Sequence, residues 1–287
     1  MCIRDRGKAY IEINVKIYNR TAFPQTFLWW ANPAVVVNDH YHSVFPPDVN
    51  AVFDHGKRDV SSFPIATGVY YKQDYSAGVD ISKYKNIPVP TSYMAIQSKY
   101  DFVGGYEDDI RGGLLHVADH HVSPGKKQWT WGNGDFGKAW DRNLTDEDGP
   151  YIELMTGMYT DNQPDFSWLQ PYEEKSWVQY FMPYSEVGYV KNATKDALLN
   201  VELKDGNARL VLYTSGVNKD VHLLVKDIRG ALLFDKTIQV SPVEPFIATF
   251  PAEGLKEEEI RVEVRDSEGK VCLLYTSPSP RDMRRSR

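Results

Sequence analysis

The chain has 287 residues, and 33 Lys and Arg against 39 Asp and Glu give it a formal net charge of −6. An acidic chain is a poor partner for nucleic acid, because phosphate binding depends on Lys and Arg. Two cysteines cannot hold together a disulfide scaffold of this length, and apolar runs of at most five residues, such as residues 27–31, cannot span a membrane.

Residues 10–18 alternate apolar and polar side chains, which predicts a strand, and a turn follows over residues 19–24. Residues 26–37 are apolar and aromatic, and further strands are predicted at residues 91–100, 113–118, 151–155 and 175–184. Long loops rich in Gly, Pro, Asp and Asn separate them, and such loops on a β scaffold often carry function. The pattern predicts no capped amphipathic helix longer than two turns.

The composition changes near residue 190, because every tryptophan lies within residues 29–177 and only one histidine, His222, follows. The polar stretch 188–197 therefore predicts a domain boundary. Beyond it, alternating segments at residues 198–203, 208–213, 221–225, 231–234 and 260–264 are separated by X-Gly turns. We predict a first domain over residues 7–190 and a small β-sandwich over residues 191–271.

The two ends of the chain resemble translated sequencing adapters. Residues 1–6 and 272–287 hold both cysteines, six basic residues and two acidic ones. Without them, residues 7–271 contain no cysteine and carry 27 basic against 37 acidic residues, a net charge of −10. We expect a fragment of a longer protein bracketed by non-native residues. The native N-terminus would then be missing, so the cellular compartment stays open.

Residues 129–168 combine tryptophans with many carboxylates. Aromatic faces stack on the apolar faces of sugar rings, and carboxylates accept hydroxyl hydrogens, so Trp129, Trp131 and Trp140 are candidate sugar-stacking residues. The alternative is a set of core aromatics beside a solvated acidic loop.

Cleavage of a glycoside requires two carboxyl groups. Glu153 lies inside a predicted strand, where partial burial would raise the pKa of its carboxyl group, so it is the candidate base or nucleophile. Asp141 and Asp148 are candidate assisting carboxylates, although their loop setting also fits plain solvent exposure.

The histidines give weaker signals. His116, His120 and His121 lie in a strand-turn pattern without a helical i, i+4 face, so we expect sugar hydrogen bonds or turn capping and no metal site. His40 and His42 alternate on what could be one strand face. Motifs for dinucleotide, nucleoside triphosphate and serine-hydrolase sites are absent, and we expect no cofactor.

Several strings resemble a bacterial family called domain of unknown function 5107. They are residues 19–32 (NRTAFPQTFLWWAN), 45–48 (FPPD), 62–65 (SFPI), 85–91 (KNIPVPT), 123–132 (SPGKKQWTWG) and 140–153 (WDRNLTDEDGPYIE). The resemblance covers about residues 10–190. In that family the domain commonly precedes tetratricopeptide repeats, which implies protein partners through repeats downstream of this chain.

The family looks related to the galactose-mutarotase-like super-sandwich. Residues 163–165 (QPD) and 171–173 (PYE) follow Glu153 in an order similar to that of mutarotases, whose Glu is the general base. The resemblance implies this role for Glu153 and places Asp165 in the site. Mutarotases carry their acid His directly after an Asn. Here Asn32 is followed by Pro33, which cannot donate a proton.

The resemblance would therefore require His40, His42 or His116 to supply the acid, and simple aldose epimerisation is the less favoured reaction.

We predict an all-β protein, an incomplete galactose-mutarotase-like super-sandwich followed by a small β-sandwich. We expect it to process carbohydrate, with glycoside hydrolysis favoured. The alternatives are a non-catalytic carbohydrate-binding module of a repeat-containing protein and a structural N-terminal domain. The predicted substrate-binding residues are Trp129, Trp131, Trp140, Asn32, His40, His42 and Asp165.

Overall fold

The structure is a computed structural model that describes residues 7–160 and 165–276. The strands of the first region are β1 (Ile11–Tyr18), β2 (Gln25–Phe27), β3 (Trp30–Ala31), β4 (Ala34–Val36), β5 (Tyr41–Val44), β6 (Ala51–Phe53), β7 (Val60–Ser62), β8 (Ile65–Ala66), β9 (Val69–Tyr70), β10 (Gln73–Asp74), β11 (Val79–Asp80), β12 (Thr91–Ala95), β13 (Phe102–Glu107), β14 (Gly112–Val117), β15 (Gly125–Thr130), β16 (Tyr151–Gly157), β17 (Ser167–Leu169) and β18 (Glu174–Ser185).

The second region contains β19 (Asn192–Ala193), β20 (Ala197–Lys204), β21 (Asn207–Thr214), β22 (Asn218–Asp227), β23 (Leu232–Val240), β24 (Phe246–Pro251), β25 (Ile260–Arg265) and β26 (Val271–Thr276). One α-helix, α1 (Asp135–Leu144), and two 3₁₀ turns, Tyr84–Asn86 and Glu257–Glu259, complete the described elements. None of the described helices has the length and apolar character needed to cross a membrane.

Two large antiparallel sheets form most of the first region, with three two-stranded pairs, β9-β10, β8-β11 and β2-β17, beside them. Sheet 1 has the order β1-β18-β14-β13-β5, and sheet 2 has the order β3-β16-β15-β12-β6-β7, with β4 also paired to β16. Side chains from both sheets meet in the space between them. Val103 of sheet 1, for example, shares a buried cluster with Val52, Tyr93 and Ala95 of sheet 2. The predicted all-β fold is confirmed.

The period of two along β15 and β16 determines what each face of sheet 2 presents. Ile152 and Leu154 are fully buried between the sheets, so Glu153 points to the opposite, outer face. The register pairs Glu153 with Trp129 and Met155 with Lys127, which puts both β15 residues on the same outer face. Sheet 2 therefore carries the candidate carboxylate and a tryptophan side by side.

The helix α1 corrects the expectation of no substantial helix. Its N-cap is Gly134, which has no side chain to cap the helix, and Gly137 lies within it, so the usual start signals are missing. Tertiary contacts replace them, because the backbone N–H groups of Asn133 and Gly134 donate to the carbonyl oxygens of Ile87 (2.8 Å) and Pro88 (3.2 Å). A Cβ at Gly137 would lie 2.0 Å from the carbonyl oxygen of Gly132, because the helix packs directly on that backbone.

Residues 26–37 form three short strands rather than one apolar strand. Pro33 separates β3 from β4, and proline cannot donate to the hydrogen-bond ladder. The short strands β6 to β11 were not predicted, because elements of two or three residues are too brief to show a period.

The second region consists of two four-stranded sheets, β19-β20-β21-β24 and β23-β22-β25-β26, around a core of Val, Leu and Ile side chains. Residues 272–276, assigned from sequence to the terminal string, lie in β26 and pair with β25. Residues 1–6 and 277–287 lie outside the described residues. The division of the chain into domains stays a prediction.

The outer face of sheet 1 packs against the second region. Phe102, Leu115 and Met182 of sheet 1 share one buried cluster with Leu198 and Val211, which lie on β20 and β21. The central strands of sheet 1 are therefore covered on both faces, and sheet 2 is the one whose outer face carries a cleft.

Candidate functional site

Glu153 lies in a cleft at the edge of sheet 2. The cleft has a volume of about 440 Å³ and is lined by Asn32, Ala34, Val35, Val36, Leu144, Thr145, Asp148, Gly149, Tyr151 and Glu153. Of the candidate carboxylates, Glu153 and Asp148 meet here. The end of α1 places Asp148, since Thr145 donates from its backbone N to Asp141 O (2.9 Å) and from Oγ1 to Gly149 O (2.7 Å).

Glu153 is half-buried, and burial raises the pKa of its carboxyl group above the ordinary range. The positive charge of Lys127 and a hydrogen bond from Asn32 Nδ2 to Glu153 Oε2 (3.1 Å) act in the opposite direction. The amide also orients the carboxylate. The site therefore holds a carboxyl group that can exchange a proton closer to neutral pH than a solvated Glu can.

The predicted stacking residues lie beside this cleft. Trp129 is the cross-strand neighbour of Glu153 and contacts the ring of Trp131 edge-on, with 5.6 Å between ring centroids. Trp131 donates from Nε1 to the hydroxyl of Tyr151, which lines the cleft (3.0 Å). Trp140 stacks on Trp131 at 4.9 Å and 13°. The structure brings these three residues together.

Lys127 and His55 extend the polar part of the outer face. The Nζ of Lys127 lies 2.7 Å from Nε2 of His55, so the ammonium group donates to the ring nitrogen. Only 3% of Lys127 is exposed, and burial lowers the pKa of its ammonium group to about 8, while Glu153 opposes this shift. A lysine with this pKa is a competent acid or base near neutral pH.

The indole ring of Trp30 covers part of the outer face of sheet 2 near Lys127. Its ring lies across Gly157, where a Cβ would approach the indole to 2.5 Å, and Lys127 Nζ lies 5.7 Å from the ring centroid. Lys127 therefore lies between aromatic rings and a carboxylate, in a setting that favours cation–π contact.

Asp141 does not reach the cleft, which corrects its candidate role. It is 6% exposed on the buried side of α1, one helical turn after Gly137, and it acts electrostatically on Tyr84. Burial raises the pKa of its carboxyl group, and Oδ2 has no hydrogen-bond partner. A period of 3.6 residues puts Gly137 and Asp141 on one helix side, an arrangement that a loop interpretation could not anticipate.

His116 is also not a cleft residue. It is fully buried between the sheets, where Nδ1 donates to Leu154 O (3.0 Å) and Nε2 accepts from the Gln179 amide (2.9 Å). Thr156 Oγ1 lies 3.1 Å from the same Nε2. Burial lowers the pKa of the imidazole to about 4. His116 is a structural residue of the core, because β14 turns this side of the strand toward sheet 2.

His40 and His42 lie with sheet 1 rather than at the cleft. His42 is 2% exposed and stacks on Tyr189 at 4.0 Å, and burial lowers the pKa of its imidazole. His40 is exposed and lies 3.3 Å from Asp109. Neither lines the Glu153 cleft, because His42 lies on β5 of sheet 1 and His40 directly precedes that strand.

Asp165 forms an ion pair with Lys57 at 2.7 Å and does not line the Glu153 cleft. Residues 163–164, which share its predicted motif, lie outside the described residues. The ligand atoms of Asp119, His120 and His121 lie within 4.8 Å of one another, but the Nδ1 atoms of both histidines contact carboxylates, of Asp101 and Asp119 respectively. The absence of a metal site stays a prediction.

Three residues near the cleft were not predicted from the sequence: Lys127, His55 and Trp30. Strand alternation could have found the first, because residues 127, 129 and 131 share one face once β15 is recognised. His55 and Trp30 gave no such signal, because one lies in a loop and the other in a two-residue strand.

Two sequence families match the chain. The family described as "Domain of unknown function (DUF5107)" matches residues 3–184, and "YphG-like protein, second domain" matches residues 192–275. The predicted family is therefore confirmed, and the second match coincides with the two small sheets after residue 190.

The chain is similar to several solved structures. A protein with tetratricopeptide domains from Parabacteroides distasonis is 22% identical with a TM-score of 0.51, over 63% of this chain and 28% of its own. A putative aldose 1-epimerase from Klebsiella pneumoniae is 10% identical (TM-score 0.41, 61% of this chain, 43% of its own). Another from Escherichia coli is 9% identical (TM-score 0.41, 62% and 57%). The chain thus spans between 28% and 57% of these proteins. By sequence over most of its length, it belongs to the DUF5107 family.

Proposed function

We propose that this chain is a carbohydrate-processing protein that acts on glycosides in the Glu153 cleft. One observation supports this most: a half-buried Glu153, whose pKa is raised, shares a cleft of about 440 Å³ with the exposed carboxylate of Asp148. Trp129 lies beside Glu153 across the strand pair. Two carboxyl groups in different environments beside an aromatic face are what glycoside cleavage requires.

The roles follow from burial. Glu153, with its raised pKa, is the proton donor to the glycosidic oxygen as the bond to the anomeric carbon breaks, rather than the base or nucleophile expected from the sequence. Asp148, exposed on the loop after α1, is the ionised partner that attacks that carbon or activates a water molecule. Asn32 holds the Glu153 carboxyl group in place, and Asn32 and the charge of Lys127 keep its pKa from rising further.

The test is hydrolysis of a panel of p-nitrophenyl glycosides, together with binding to a glycan array, by the wild type and single variants. Glu153→Gln and Asp148→Asn should each lower kcat by about 10²-fold or more. Glu147→Gln changes an exposed carboxylate of the same loop that does not line the cleft, and should leave kcat unchanged. Equal loss in all three variants would contradict the assigned roles.

A non-catalytic carbohydrate-binding module is the second candidate, and the tryptophans beside the cleft favour it. It predicts glycan binding without hydrolysis, binding that survives Glu153→Gln and binding that is lost in Trp131→Ala. A purely structural domain predicts no binding to any glycan. A protein that neither binds nor cleaves any member of either panel would overturn the carbohydrate proposal.

A further inference from the structure

The helix α1 exposes a row of apolar side chains next to the cleft. Phe136, Trp140 and Leu144, here called the α1 stripe, are 57%, 38% and 51% exposed. Their i, i+4, i+8 spacing puts them on one helix face. The residues that α1 buries are instead Gly137 and Asp141. An apolar row of this kind is normally turned toward a core.

The stripe is held in a fixed position. Trp140 stacks on Trp131, and Trp131 is itself fixed by the hydrogen bond from Nε1 to the Tyr151 hydroxyl. Gly137 packs against the carbonyl of Gly132 so closely that a Cβ would not fit, which fixes the helix backbone. The stripe is therefore a preformed surface, and a ligand would not need to order it on binding.

The stripe is continuous with the cleft that holds the two carboxylates. Leu144, its last member, lines that cleft together with Glu153 and Asp148. At a rise of 1.5 Å per residue, the stripe runs about 12 Å from Leu144 to Phe136. The apolar surface therefore continues outward from the carboxylates over a distance greater than one sugar ring.

We propose that the α1 stripe binds additional rings of a linear, neutral oligosaccharide whose reacting ring lies at Glu153. This inference rests on the proposed function and names its substrate class. Charges of both signs flank the stripe and the cleft, since α1 exposes Asp135, Lys138 and Arg142 and Glu153 faces Lys127, and this mixture suits an uncharged ligand. Three half-exposed side chains offer far less than the roughly 800 Å² per partner of a stable protein interface, which disfavours a second copy of the chain.

The test measures how affinity depends on ligand length. Calorimetric titration would use ladders of one to six sugar units of β-1,4-glucose, α-1,4-glucose, β-1,4-xylose and β-1,4-mannose. For the ladder that binds, we expect the dissociation constant of the wild type to fall at least tenfold between the monosaccharide and the tetrasaccharide. Trp140→Ala should remove this dependence, and Trp140→Phe should retain part of it. Phe136→Ala, at the end of the stripe farthest from the cleft, should weaken the dependence and keep monosaccharide affinity within twofold.

Trp168→Ala is the matched control, because Trp168 is also exposed (51%) but lies on β17, outside the stripe. It should leave the length dependence intact. Circular dichroism would verify that each variant is folded. Equal affinity of the wild type for all lengths of a bound ladder would overturn this inference and leave the cleft proposal standing, whereas the absence of any glycan ligand would overturn both. Concentration-dependent dimerisation that Trp140→Ala abolishes would make the stripe a protein interface and also overturn the inference.

Discussion

His116 should make the first region less stable as the pH falls below 7. Its Nε2 faces the Gln179 amide and the Thr156 hydroxyl, its Nδ1 already donates to Leu154, and burial lowers the pKa of the imidazole to about 4. In the unfolded chain the ordinary pKa is about 6.5. Between these values the unfolded state binds the extra proton, so the free energy of unfolding falls as the pH falls.

The difference between the two pKa values corresponds to a total decrease of about 3 kcal/mol in the free energy of unfolding. About 2 kcal/mol of this decrease occurs between pH 7 and pH 5. The variant His116→Gln does not titrate but keeps an amide that can hydrogen-bond. Between pH 7 and pH 5, its free energy of unfolding should therefore fall by about 2 kcal/mol less than that of the wild type. Other titrating groups are common to both proteins, so their contributions cancel in the difference.

Urea unfolding at a series of pH values, followed by tryptophan fluorescence, measures this difference. Every tryptophan lies within residues 29–177, so the signal reports on the first region. The exposed His121→Gln is the control for loss of a histidine, and should follow the wild type. Parallel pH profiles for the wild type and His116→Gln would refute the reasoning.

Three further predictions concern the site and its supports. Lys127→Met should raise the free energy of unfolding at pH 7 by about 1 kcal/mol and weaken glycan binding, because burial lowers the pKa of Lys127 to about 8 and the buried charge is costly. A lower free energy of unfolding would count against this. Gly157→Ala should displace Trp30 and lower the melting temperature, whereas Gly68→Ala, with open space around it, should not. Asp141→Asn should stabilise the protein at pH 7, with a gain that shrinks as the pH falls, because burial raises the pKa of that carboxyl group; equal gains at pH 7 and at low pH would contradict it.

Strand alternation predicted the longer elements closely. The predicted strand at residues 175–184 is β18 (Glu174–Ser185), and the one at residues 151–155 lies within β16 (Tyr151–Gly157). Each of these strands packs one face on a core, so every second residue is apolar and the strand can be recognised from the sequence. The helix α1 was missed because its start is held by hydrogen bonds from Asn133 N and Gly134 N to the carbonyl oxygens of Ile87 and Pro88, which no local pattern reports.

Parts of the candidate site could be predicted where a residue with a suitable side chain also lies on a strand that the sequence pattern reveals. Glu153, Asn32 and Trp129 lie together as expected. The histidines failed as candidates for a physical reason: whether His116 faces the cleft or the core depends on which sheet covers its strand. Sequence spacing does not contain that information, because it follows from the order in which distant strands pair.

The cluster that joins sheet 1 to β20 and β21 has a consequence for dissecting the protein. Phe102, Leu115 and Met182 are each fully buried, in a cluster to which the second region contributes Leu198 and Val211. Cutting the chain within residues 188–197 would uncover a contiguous apolar face on an otherwise intact sandwich, and such faces promote aggregation. The boundary between the two sequence families is therefore a poor place to divide the protein. A fragment made for expression and purification should contain both regions.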